Sequence, residues 1–158
     1  MKQRGFTLIE TLIVMAVFVF FMGMVIINIL NLEPQISLTT STSTIIADIR
    51  KQQFKTLTGN TSNNQISDFG IHLDSDKYTL FSGNIYTQGV PENSIITLPD
   101  NISIPEITFQ ESNIIFVKQT GEINDFVNGS NTFRVKNSIT NEEKTITLNK
   151  LGVVTGVQ

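Results

Sequence analysis

Three sets of residues have types and spacings that could do chemistry. Glu10 is the only ionisable group in the 27 residues from Phe6 to Leu32. A carboxylate inside a bilayer helix costs on the order of 2.5–3.5 kcal/mol, so it ordinarily has a partner or a function. The nearest cations, Lys2 and Arg4, lie ahead of the run. A cut between Gly5 and Phe6 would create another, the α-amine of Phe6, four positions before Glu10. That amine could pair with Glu10 along one helix or with Glu10 of a neighbouring copy, and the sequence leaves both pairings open. The second set is His72, the single histidine, with Asp74, Ser75 and Asp76. A histidine beside an aspartate could ligate a metal or act as a base, and the acidic triplet offers oxygen ligands. The triplet is too short and too poor in further ligands for a calcium loop. It reads as a turn, and His72, without a partner constellation, reads as structural. No catalytic residue, metal or cofactor is expected. The third set is Arg134, Lys136, Lys144 and Lys150. Arg134 and Lys136 would share one face of a strand, as phosphate contacts require.

These residues need an apolar helix, a stem and a sheet to hold them. LIVMAVFVFFMGMVII, residues 12–27, has sixteen residues without a polar side chain, enough with its flanks to cross about 30 Å of hydrocarbon. A domain of roughly 100 residues could scarcely surround a helix apolar on every side. Lys2 and Arg4, with no acid beside them, put the N-terminus in the cytoplasm and residues from Pro34 onward outside. No small-residue cleavage site follows the span, as a secretory signal requires. Gly5 precedes it, so cutting there would leave the helix on the mature protein.

Pro34 predicts a kink or break near residues 31–34. Beyond it Leu38, Thr42, Ile45, Ile49, Gln53 and Leu57 recur at helical spacing, with Ile46 and Phe54 widening the predicted inner face. Gly59–Asn60 is a stop signal. From residue 67 the pattern changes to short β-branched and aromatic segments, and FRVK and TITL alternate as half-buried strands do. Residues 69–81 predict a hairpin turning at Asp74–Asp76, and 132–148 a second. Pro91, Pro99 and Pro105 mark strand ends or edges. Past residue 59 there are six Lys and Arg against eleven Asp and Glu, so bulk attraction to nucleic acid is not favoured. There is no cysteine, and packing alone must hold the outer domain.

The string RGFTLIETLIV, with its short basic leader, glycine, hydrophobic residue, Glu four residues on and full apolar span, resembles the processing site of type IV prepilins and pseudopilins. The resemblance implies that a prepilin peptidase cuts between Gly5 and Phe6 and methylates the new Phe6 amine. It also implies that Glu10 contacts a neighbour's N-terminus during filament assembly. Keeping Glu10 argues against the tip pseudopilin class that usually lacks it. ADIRKQQFKTLTG, GIHLDSDKYTLFSG, NIIFVKQTGEIND and KTITLNKLGVVTG resemble the GspH/FimT-like minor pilins, competence pilins included. Some of these bind DNA through a C-terminal basic motif, but here GVVTGVQ carries no cation and Glu142 and Glu143 lie close by.

The expected fold is therefore α+β and pilin-like. It comprises a leader (1–5), a transmembrane or filament-core helix (6–32), an amphipathic stem (33–59) and an extracytoplasmic antiparallel β head (60–158). The expected role is a non-enzymatic minor pilin or pseudopilin of a type IV pilus, type II secretion or competence filament. Its expected partners are other pilins, the prepilin peptidase, the inner-membrane assembly platform and membrane lipid. The rivals are an uncleaved single-pass membrane protein with a ligand-binding head and a DNA-binding minor pilin.

Overall fold

The computed structural model describes residues 7–30, 33–62 and 65–158. The chain divides into two compact units, Met1–Glu33 and Pro34–Gln158. In the first, helix α1 spans Leu8–Leu30. Thr7 starts it: its carbonyl accepts from the Glu10 and Thr11 amides, and its Oγ1 accepts from the Glu10 amide at 3.3 Å. Thr7-Leu8-Ile9-Glu10 thus has the spacing of a capping box, with the acid in the first turn where the helix dipole favours it. Every described side chain of α1, Leu8 to Met22, is exposed. An apolar surface exposed on every side over these described residues needs lipid or neighbouring helices to cover it.

Among the described residues no helix is long and apolar enough to cross a membrane. The described side chains of α1 end at Met22, short of a span, whereas its full 23 residues correspond to about 35 Å at helical rise. The kink expected near residues 31–34 falls in part on residues 31 and 32, outside the described residues.

The second unit is built on α2 (Glu33–Leu57). Its inner seam is Leu38, Thr42, Ile45, Ile49, Gln52 and Thr56, all buried. The stem face predicted from sequence was right up to Ile49 and wrong after it: Phe54 is 66% and Leu57 50% exposed, and Gln53 is only half-buried. The expected face runs from Ile49 in steps of four to Gln53 and Leu57, whereas the buried seam steps by three and then four, to Gln52 and Thr56. Gln52 is accommodated because its Nε2 donates to the Gly70 and Phe81 carbonyls at 2.8 and 3.2 Å. Thr56 donates its hydroxyl to Gln52 O one turn back.

The strands are β1 (Thr61–Ser62), β2 (Gln65–Ile66), β3 (Phe69–Leu73), β4 (Lys77–Ser82), β5 (Ser94–Thr97), β6 (Ile102–Ile107), β7 (Asn113–Phe116), β8 (Thr132–Asn137), β9 (Glu143–Leu148) and β10 (Val154–Val157). All pairings are antiparallel, in a small β1–β2 ribbon and two four-stranded sheets of order β10-β9-β8-β6 and β5-β4-β3-β7. The hairpins expected over 69–81 and 132–148 are β3–β4 and β8–β9. The β1–β2 ribbon, read as loop from sequence, and β10 were not anticipated. Pro105 lies in edge strand β6, where the register shifts between Ser103 and Glu106, as a strand proline requires.

In β8, Phe133 and Val135 are buried while Arg134 and Lys136 are half-exposed, and in β9 Ile146 and Leu148 are buried beside half-exposed Thr145 and Thr147. Leu38, Ile45 and Ile49 join the inner residues of both sheets in one core, among them Ile71, Tyr78, Ile114, Phe133 and Ile146. The Ser75 and Asp76 carbonyls accept from the Ile104 and Leu98 amides, both at 2.9 Å. The β3–β4 turn thereby links the two sheets. The architecture is α+β, as expected.

Candidate functional site

Glu10 lies one turn into α1 with its side chain exposed. Gly5 and Phe6, the expected cleavage and methylation positions, lie outside the described residues, as do Lys2 and Arg4. The structure gives Glu10 a helix-capping place that the reading of its charge overlooked. The signal was present in the spacing of Thr7 and Glu10.

Residues 1–26 match the prokaryotic N-terminal methylation motif. No curated protein and no solved structure matches the chain. The chain thus carries a type IV prepilin-like signal, which implies membrane anchoring followed by incorporation into a filament. It implies a prepilin peptidase and other pilins as partners, and it suggests a structural subunit rather than an enzyme.

The four cations weighed for DNA do not form one patch. Arg134 and Lys136 share the outer face of β8, but Arg134 is held between Glu106 at 2.5 Å and Glu143 at 3.5 Å, and Lys136 stands opposite Glu143 in register. Lys144 stands opposite the buried Val135, hence on the other face of the sheet, and its Nζ meets Thr39 Oγ1 of α2 at 3.2 Å. Lys150, in the β9–β10 connection, pairs with Glu122 at 3.1 Å.

His72 is tied into the fold. Its Nδ1 meets Asn113 Oδ1 at 2.8 Å, Nε2 lies 3.5 Å from Asp74, and the ring stacks on Tyr86 with centroids 4.0 Å apart. Among the described residues no group of three or more acidic or histidine side chains could hold a metal.

Two further features were missed from sequence. A cleft of about 620 Å3 opens between the loop after β4, the turn Gln110–Ser112 and the segment 123–130, lined by Phe109, Phe126, Val127, Glu111, Asp125 and neighbouring amides. Glu111 and Asp125 both sit at positive φ, 52° and 50°, a conformation uncommon outside glycine. The second feature is the outward face of α2, where Arg50, Lys51 and Phe54 are exposed. The cleft residues are far apart in sequence, and only the fold collects them.

Proposed function

We propose that the chain is a minor pilin or pseudopilin of the GspH/FimT-like type, cut between Gly5 and Phe6, methylated at Phe6 and assembled through α1 into a type IV pilus, type II secretion or competence filament. The methylation motif over residues 1–26 carries this reading. An apolar helix exposed on every side over its described side chains, Leu8 to Met22, with one acid in its first turn supports it. In the membrane, α1 spans once with the N-terminus cytoplasmic and the β head outside. In the filament, neighbouring helices replace lipid around α1, and Glu10 receives the Phe6 ammonium of an adjacent copy. The cost of immersing the carboxylate then becomes a force for side-by-side assembly.

Glu10→Gln keeps the shape and removes the charge. It is expected to leave the chain in the membrane fraction and to lower its incorporation into sheared fibres by about ten-fold or more. Equal incorporation of Glu10→Gln, Glu10→Ala and the unaltered chain would overturn the proposed pairing.

A further inference from the structure

Phe54 is misplaced for a core residue. Ile45, Ile49, Gln52 and Thr56 define the buried seam of α2, and at 100° per residue Phe54 stands on the opposite side of the helix. Arg50 and Lys51 flank it one turn back, both exposed, and neither forms an ion pair among the described residues. Burial first, and then the charge of Lys51, hold Lys55 below the ordinary lysine pKa, with Asp48 offsetting in part. An exposed aromatic side chain flanked by cations is a knob with the composition of an interface anchor.

The cleft has the complementary chemistry. Phe109, Phe126 and Val127 give it apolar walls, Glu111 and Asp125 give it negative charge, and no lysine, arginine or histidine lines it. Neither carboxylate has a cation among the described residues; Asp125 accepts only from the neighbouring Asn124 amide, at 2.9 Å. Its volume of about 620 Å3 lies in the range of ligand-sized sites, ample for one aromatic side chain. No residue of α2 lines it, so knob and cleft are separate surfaces of one molecule.

We infer that Phe54 of one copy, with Arg50 and Lys51 beside it, docks into the cleft of a second copy, the cations meeting Glu111 and Asp125 and the ring packing on Phe109, Phe126 and Val127. Knob and cleft are different patches of the surface, so the contact can run head to tail between successive copies in a filament. The inference rests on the proposed assembly role in that the copies must lie side by side.

The chain has no cysteine, which makes disulfide trapping in membranes selective for introduced positions. Thr58→Cys, one turn beyond Phe54, is carried on one tagged full-length copy and Ser130→Cys, in the cleft lining, on another. The pair is expected to give several-fold more linked heterodimer than Thr58→Cys with the exposed Ile139→Cys. Phe54→Ala, at a position 66% exposed, or Arg50→Glu with Lys51→Glu, is expected to lower the yield about ten-fold, and Glu111→Lys with Asp125→Lys on the partner to restore the charge-reversed pair. Linkage no greater than the control, or linkage indifferent to Phe54 and to charge reversal, would overturn the docking. Absent linkage with Glu10-dependent incorporation intact would remove the docking alone. Glu10-independent incorporation would instead remove the proposed pairing that drives assembly.

Discussion

At the scale of single residues, Tyr78 shows how polarity is managed inside the head. Its ring is buried and its hydroxyl donates to Asp48 Oδ2 at 2.7 Å, pinning β4 to α2. Burial first, then the hydrogen bond and charge of Asp48, push the phenol above its ordinary pKa. The folded chain therefore holds this proton more tightly than the unfolded one. Its contribution to stability is complete below about pH 10 and falls as pH rises above that value. Tyr78→Phe is predicted to cost about 1 kcal/mol near neutrality and to flatten the alkaline decline, measured as urea midpoints at about pH 7.5 and pH 10.5. An unchanged decline would assign the effect to other groups. Neither the bond nor the pairing of Arg134 with Glu106 and Glu143 was legible beforehand, because each joins residues that only the folded sheets bring together. The methylation motif over residues 1–26 was legible, because its residues are contiguous in sequence.

At the scale of elements, the alternation in β8 and β9 was readable because a two-residue period survives in sequence when one face is wet. The C-terminal half of α2 was not. Gln52 looks like a surface residue until carbonyls of β3 and β4 are placed over it, Thr56 until its hydroxyl is turned back onto Gln52 O, and Phe54 looks like core until its place opposite the buried seam is seen. Within the β4-β3-β7 layer the Phe81 ring lies over the backbone of β3 because Gly70 has no side chain. A Cβ there would lie 2.6 Å from Cζ of Phe81 and 3.0 Å from the Ile114 carbonyl oxygen. Gly70→Ala is predicted to cost about 1–3 kcal/mol, and less in a Phe81→Leu background, where the ring no longer occupies the space. A double-mutant cycle on the urea midpoint checks this, and strict additivity would contradict it. In α2, Ile45→Ala, at a fully buried position, is predicted to cost about 2–5 kcal/mol in the same assay.

At the scale of the whole molecule, the two units present opposite problems. The Pro34–Gln158 unit encloses its own core. The described side chains of α1 are exposed and need lipid or sister helices around them. The methylation motif at the N-terminus bears on the second problem: under the proposed cut after Gly5 the apolar helix would stay on the mature chain, free to be covered by lipid or sister helices. The choice among pilus, secretion and competence filament was not legible, because it is written in surfaces that meet other subunits rather than in hydrophobic period or turn chemistry. The most direct test is intact-mass and N-terminal peptide spectrometry of the chain recovered from membranes and fibres. The expected mature protein begins at Phe6, lacks Met1 to Gly5 and carries one methyl group on its α-amine. A chain still beginning at Met1 or Lys2 in the fibre or membrane fraction, with Phe6 internal and unmodified, would contradict it.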